Sequence, residues 1–437
     1  MMRHPTFRST AARSTRAAAL VASVAVASIL AAATSPLLGQ DPGVNAQTFA
    51  GEEPGTELRV WLVTAAPGDA VWERYGHNAI RVLDTRTGRD VSYNWGIFDF
   101  EQVDFIPRFL QGRMLYRMAP FRTDAMIASY AQTNREVRLQ ELNLTPSQKL
   151  ALRDFAEDNA LPENRNYIYQ YFVDNCSTRA RDLLDLVLGG ALQESYSADD
   201  RGASYRFHTR RLTQVDPLIY TGMDLLLGTP TDAPISVWDE MFVPMVLADE
   251  LNSFSVADAS GSLRPLVLND EIVVPSSRAG APLAPPSWLW AYLMIGLLVG
   301  GALAVRSADR VQSSIVLRSA VLLLGTFWSL LGGVVGLVLV GLLFTDHVFS
   351  YRNENLFLVN PLMLATAVLL PLTLLGEQWK TRARTWSVLV AGLALLGLLW
   401  HVLPWSGQKS AMFFALFLPA HFGLAWSLRD VAPVEEG

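Results

Sequence analysis

The last 151 residues of the chain, 287–437, hold only nine Lys or Arg and seven Asp or Glu. No other feature constrains the fold as much. A stretch so poor in charge cannot cover a water-soluble domain of that size, and it needs lipid around it. Five runs within it are apolar for about the 20 residues that a helix needs to cross a bilayer. They lie near 287–305, 319–345, 358–376, 386–404 and 410–428. Trp288, Trp290, Trp405 and Trp426 stand near their ends, where aromatic anchors belong. The second run is long, but dividing it at Gly332-Gly333 would leave two pieces too short to span. If residues 41–286 lie outside, the inside segments carry Arg306, Arg310, Arg318, Lys380, Arg382, Arg384 and Arg429, against Arg352 and Lys409 outside. That bias follows the positive-inside rule and predicts five spans with a cytoplasmic C-terminus.

The other end carries a different signal. Arg3, Arg8, Arg13 and Arg16 precede an apolar run from Ala17 to Ala33, and residues 1–40 hold no acid. This is the pattern of a secretory signal peptide, with an uncleaved anchor as the alternative; either would export residues 41–286. No cysteine directly succeeds the apolar run, so the protein is not expected to be a lipoprotein itself.

Between the two lies a soluble, acidic stretch. Residues 41–286 carry 22 Lys or Arg and 34 Asp or Glu, and the whole chain has a net charge of −6. That balance argues against nucleic acid as a partner. Twelve Trp and 20 Phe exclude a disordered chain. A single cysteine, Cys176, excludes an intrachain disulfide and a multi-cysteine zinc site. The expected division is a signal peptide over 1–40, a periplasmic domain over 41–256, a Pro-rich linker over 257–286 that stiffens at Pro282–Pro286, and a membrane domain over 287–430.

Local patterns in the soluble part predict an α+β domain. Residues 57–65 (ELRVWLVTA) read as a strand. Residues 77–83 and 90–95 flank the turn Thr85-Arg86-Thr87-Gly88 and read as a hairpin. A helical stretch begins at 120–122, and 137–142 is a further strand. Thr145-Pro146-Ser147-Gln148 opens a helix as a capping box with proline at the first helical position. The short aromatic stretch 167–172 precedes Asp174-Asn175-Cys176-Ser177-Thr178. A helix comes next, with Leu183, Leu184, Val187 and Leu188 on one face, and Gly189-Gly190 stops it.

Cys176 therefore sits at a helix start, where Asp174 or Asn175 can cap and the helix dipole favours a thiolate. A lone cysteine is most often a small core residue. This one is flanked by Asp, Asn, Ser and Thr, and an idle thiol is a liability in an exported protein. The soluble part has two histidines, His77 and His208. His77 lies on the first strand of the hairpin after Tyr75-Gly76, and an imidazole on a rigid strand facing a thiol at a helix start is a nucleophile–base pair. Asn94, on the opposite strand, is the best polar candidate to orient the ring, with Tyr93 and Ser92 behind it.

The phrases YGHNAIRV (75–82), YNWGIFDF (93–100), FLQGRMLY (109–116), YIYQYFVDNCSTRARD (167–182) and a later LLLG…MFVP stretch resemble the DUF4105 family, the N-terminal periplasmic domain of the Lnb bacterial lipoprotein N-acyltransferases. The resemblance covers about residues 57–250. The tail resembles the membrane domain that accompanies it, including Asp346-His347, Asn353-Glu354-Asn355-Leu356 and Asn360-Pro361-Leu362. The order of His and then Asn-Cys is also similar to permuted papain-like folds of the NlpC/P60 and lecithin:retinol acyltransferase kind. Those relatives often carry a second histidine on the next strand, which this chain lacks there.

The resemblance implies a permuted papain-like periplasmic domain followed by an all-α five-helix transmembrane domain, in the bacterial inner membrane. It implies thiol acyl transfer: Cys176 attacks an ester carbonyl of a phospholipid or lipoprotein, and His77 moves the protons, with Asn94 behind it. Tyr75, Asn78 and Asn175 would supply oxyanion or positioning donors. His347, Asn353 and Asn355 would face the substrate at the membrane. Phospholipids, lipoproteins and membrane lipids are the implied partners, with no metal or organic cofactor. The alternatives left by the residues are a papain-like peptidoglycan amidase or peptidase, a phospholipase, and a non-enzymatic membrane-anchored sensor.

Overall fold

The computed structural model describes residues 53–429, apart from 100, 258–260, 309, 310 and 312. The expected signal peptide lies outside the described residues.

The strands of the soluble part are β1 Leu58–Ala65, β2 His77–Asp84, β3 Asp90–Ile97, β4 Leu115–Arg122, β5 Val137–Leu142, β6 Asn166–Ile168, β7 Ser255–Ala257, β8 Leu263–Pro265 and β9 Val267–Val274. Seven of them form one antiparallel sheet in the order β6-β4-β3-β2-β1-β5-β9, and β7 and β8 pair separately. Period-two alternation sends side chains to two faces. Leu58, Val60, Leu62, Ile80 and Val82 enter the larger core, which α4 (Cys176–Val187) completes with Ala180, Leu183 and Leu184. Trp61, Val63, Ala79, Val137 and Leu139 face the other way, against Met126 of α2 (Thr123–Gln132).

The expected hairpin forms, with Val82 paired to Val91 and Ala79 to Asn94. Thr145 caps α3 (Pro146–Ala160) through Gln148 N–H, and the Gln148 side chain returns to Thr145 N–H. Two features were not expected. Residues 115–122 form a strand, β4, although Pro120 and an uneven polar pattern disguise it. The stretch 257–286 is not all linker either. Val267–Val274 pairs with β5 as the edge of the main sheet.

The C-terminal part is helical. Among the described residues three segments are long and apolar enough to cross a membrane: Ile315–Leu342, Glu354–Leu375 and Glu377–His401. Two shorter apolar helices, Leu289–Ala304 and Ala411–Ser427, accompany them. The long run is one unbroken helix, and Gly332 and Gly333 serve packing: a Cβ there would meet Met363 and Leu364 side chains at 2.3 and 2.7 Å. The short helices also meet through glycine. A Cβ on Gly296 would reach Ala415 O at 2.4 Å, and one on Gly300 would reach Pro419 O at 2.3 Å. Small residues allow such close backbone contact where lipid supplies no hydrophobic drive.

The two parts are joined by hydrogen bonds. Leu225 O, near the end of the helix Pro217–Leu226, accepts from Asn353 Nδ2 and Asn355 Nδ2, each at 2.9 Å. Gly228 N–H donates to Phe349 O at 2.8 Å, and Asp346 N–H to Gln111 O at 2.8 Å. Phe349 also enters an aromatic cluster with Phe172, Tyr205 and Phe242.

Candidate functional site

The site lies at one end of the sheet. His77 is the first residue of β2, and Asn94 lies on β3 opposite Ala79, so His77, Ala79 and Asn94 share a face. Gly96, two residues beyond Asn94, sits at an irregularity in the β3–β4 pairing with a φ of 85°. A Cβ there would lie 3.6 Å from Cys176 Cβ. The missing side chain and the left-handed backbone let the start of α4 come up against the strand.

The start of α4 is fixed by Asn175. Its Oδ1 accepts from the N–H groups of Ser177 and Thr178, at 2.8 and 2.9 Å, and its Nδ2 donates to Tyr171 O and Phe242 O. Thr178 Oγ1 accepts from Asn175 N–H in return. Asp174 does not cap; it pairs with Arg179. The cap therefore comes from the residue directly before the cysteine, which presents the thiol at the first helical position.

Asn94 sets the tautomer of His77. Its Nδ2 donates to Ser92 O at 2.9 Å, which leaves Oδ1 facing His77 Nε2 at 3.0 Å. An amide oxygen only accepts, so Nε2 carries the hydrogen and Nδ1 keeps its lone pair. The Cys176 thiol and the same ring are coupled through charge and hydrogen bonding. Burial alone pushes the thiol pKa up. The charge and hydrogen bond of His77 outweigh it, helped by the backbone N–H groups of Asn78 and Ser177, and the thiol ends below its ordinary value. Burial likewise acts to lower the His77 pKa, but the Cys176 charge and hydrogen bond, with the bond to Asn94, hold it above the ordinary value. Opposite shifts in a contacting pair favour the thiolate–imidazolium form.

The structure brings Cys176, His77 and Asn94 together. It does not place the expected oxyanion donors there. The Asn175 side chain is used up by capping and by two carbonyls. The Asn78 side chain donates to Ser177 Oγ and Pro244 O and accepts from Thr64. The Tyr75 hydroxyl donates to Thr209 Oγ1 at 3.0 Å. Alternation explains Asn78: next to His77 on one strand, its side chain leaves on the opposite face. What acts on the thiol's charge is its backbone N–H, which no residue pattern announces. The membrane-face residues also differ from expectation. Asn353 and Asn355 are buried and bonded to Leu225 O, and His347 Nε2 donates to Phe109 O at 3.0 Å. They fasten one part of the chain to the other. His208 is buried, accepting from Arg211 at Nδ1 and meeting Glu240 at Nε2, so it has no ring nitrogen to offer.

Residues 48–213 match the family model described as the Lnb N-terminal periplasmic domain. This segment is an Lnb periplasmic domain. The match runs from ahead of β1 through the helix Tyr205–Thr213 and contains His77, Asn94 and Cys176. With three helices able to cross a membrane behind it, the chain fits a membrane protein with a periplasmic domain. No curated protein and no solved structure matches the chain.

Proposed function

We propose that this protein is a membrane-bound thiol acyltransferase that N-acylates the N-terminal cysteine of bacterial lipoproteins. The observation that carries the reading is the pairing of Cys176, at the start of α4 beside β3, with a His77 ring whose Nε2 is held by Asn94. The Lnb match supports the lipoprotein class of substrate. In the first half-reaction Cys176 Sγ bonds to the carbonyl carbon of a phospholipid or diacylglyceryl ester, and the C–O bond breaks. His77 takes the thiol proton at Nδ1 and returns it to the departing alcohol. In the second, an α-amine attacks the thioester, the C–S bond breaks, and His77 receives the amine proton. The backbone N–H of Asn78 favours the anionic form of the sulfur whenever it is released.

The proposal includes a permuted papain-like domain at the outer face of the inner membrane, five crossings and a cytoplasmic C-terminus. Supporting it are the thiol at a helix start against an antiparallel sheet, the glycine-mediated packing of the two shorter apolar helices, and the bias of basic residues toward alternate loops. Mass spectrometry of lipoprotein N-termini from cells with and without the protein tests it. An acyl group on the α-amine that persists in its absence would count against transfer.

A further inference from the structure

The chain leaves the sheet at the end of β3 and returns at β4, and between them lies the short helix α1 (Phe105–Gln111). At the two strand ends the rings of Phe98 and Tyr116 lie 5.2 Å apart. Tyr116 stacks on Tyr169 at 4.1 Å. Tyr169 borders the thiol: its Cε2 lies 3.6 Å from the Cβ position of Gly96, as does Cys176 Cβ. Outward, Trp72 meets Phe98 edge-on at 6.1 Å and is itself 51% exposed. A continuous line of rings thus runs from the sulfur to the surface.

Around α1 the surface is apolar and uncovered. Ile106, Phe109 and Leu110 are 61%, 53% and 61% exposed, and Val103 just before them is 80% exposed. A cluster of large apolar side chains on so short a helix marks a binding surface. Its position says for what. Gln111 O accepts from Asp346 N–H, Phe109 O accepts from His347, and Arg113 pairs with Asp346. Asp346 and His347 lie four and five residues past the end of the membrane-capable helix Ile315–Leu342, and Phe344 between them and the helix is 85% exposed. The exposed apolar side chains of α1 are therefore tied to the end of that helix, and Arg108 beside them is a cation that suits headgroup phosphates.

We propose that α1 is seated in the bilayer interface, its apolar side chains among the lipid chains, and that the Trp72–Phe98–Tyr116–Tyr169 rings guide a membrane lipid's acyl chain from there to Cys176. The seat of α1 stands on its own; the guide rests on the acyl-transfer reading. The balance of forces is simple. An acyl chain crossing open water exposes every CH₂ to it, and a ring-lined path beginning inside the bilayer removes that cost.

The test uses the full chain in vesicles of phosphatidylethanolamine and phosphatidylglycerol. In a Cys176→Ala background, an environment-sensitive NBD fluorophore is placed at Ile106→Cys or Leu110→Cys, with Thr87→Cys as control. Thr87 lies beyond the far end of β2, about 23 Å from His77 along an eight-residue strand. Blue-shifted emission quenched by nitroxide-bearing lipids at 106 and 110, but not at 87, is the expected result. Water-like, unquenched emission at both positions overturns the seat of α1. With the native thiol, Leu110→Asp is expected to slow transfer from vesicle lipid by about tenfold or more, with iodoacetamide labelling of Cys176 unchanged. Transfer at the unsubstituted rate overturns the guide. If Leu110→Asp does not fold, the fluorescence decides. If the native protein transfers no acyl group while 106 and 110 are quenched, the reaction reading fails and the membrane seat holds.

Discussion

Asn94 Oδ1 accepts a hydrogen bond from His77 Nε2 at 3.0 Å, and its own Nδ2 is tied to Ser92 O. The amide cannot turn over without breaking that second bond, so the histidine is offered one tautomer only. Asn94→Ala is expected to lower turnover by about 10- to 100-fold, less than the loss on removing Cys176 or His77. The loss should fall on kcat and shift the pH profile, because Asn94 orients the ring and touches no substrate. An unchanged pH profile would mark Asn94 as structural.

The Cys176–His77 pair predicts a pH dependence of thiol reactivity. With its pKa held below the ordinary value, Cys176 is thiolate in a range where free cysteine, at about 8.5, is still protonated. Its alkylation rate should rise at lower pH than that of free cysteine and then level off. His77→Asn removes the charge that opposes burial, so the rise should move upward, past that of the free thiol. A midpoint that stays put in His77→Asn would show that the ring does not set the thiol's charge.

Local chemistry made part of this structure legible in the sequence. The hairpin, the capped α3 and the cysteine at the start of α4 are each dictated by side chains within a few residues, and His77, Asn94 and Cys176 could be read for that reason. The misses are non-local. β4 is held by partners on both sides, β3 and β6, that its own alternation does not reveal, and β9 joins the sheet from what reads as a linker. Asn353 and Asn355 look polar and loop-like, yet their partner, Leu225 O, is more than a hundred residues away. The donors at the sulfur are backbone N–H groups, which every residue but proline carries and no pattern singles out.

Gly96 predicts a steric signature. At φ 85° any L-residue is strained by about 1–2 kcal/mol, and the new Cβ would stand in van der Waals contact with both Cys176 Cβ and Tyr169. Gly96→Ala should therefore lower the melting temperature modestly and slow alkylation of Cys176 by bulky maleimides more than by iodoacetamide. Equal slowing by both reagents would mean that the glycine serves only the backbone.

Arg206 is buried between Asp224 and Asp232, bonding both carboxylates and the carbonyl oxygen of Leu227. Arg206→Met would leave two carboxylates buried without this partner, with only Arg210 still on Asp224. Breaking such a pair from one side costs about 3–5 kcal/mol. Thermal unfolding in detergent should show a large loss. Changing Asp232→Asn instead keeps a hydrogen-bonding group there and should cost less.

Leu225 O takes one donor from Asn353 and one from Asn355. With Asn355→Ala the carbonyl keeps the Asn353 bond, and with Asn353→Ala it keeps the Asn355 bond; the first should cost about 1 kcal/mol, and the second more, because Asn353 Oδ1 also accepts from Asn355 N–H and Gln408 Nε2. The double change leaves a buried carbonyl bare of both, which adds a desolvation penalty of about 1–3 kcal/mol that neither single change incurs. The two substitutions should therefore be worse together than their sum. Hydrogen exchange at residues 225–229 should speed up markedly only in the double variant, because Gly228 N–H, bonded to Phe349 O, loosens with the same seam. Alkylation of Cys176 should be unaffected, since the cap and the histidine that tune the thiol make no bond to this carbonyl. A strictly additive result with unchanged exchange would return these asparagines to the substrate-positioning role that their place in the outer loop first suggested.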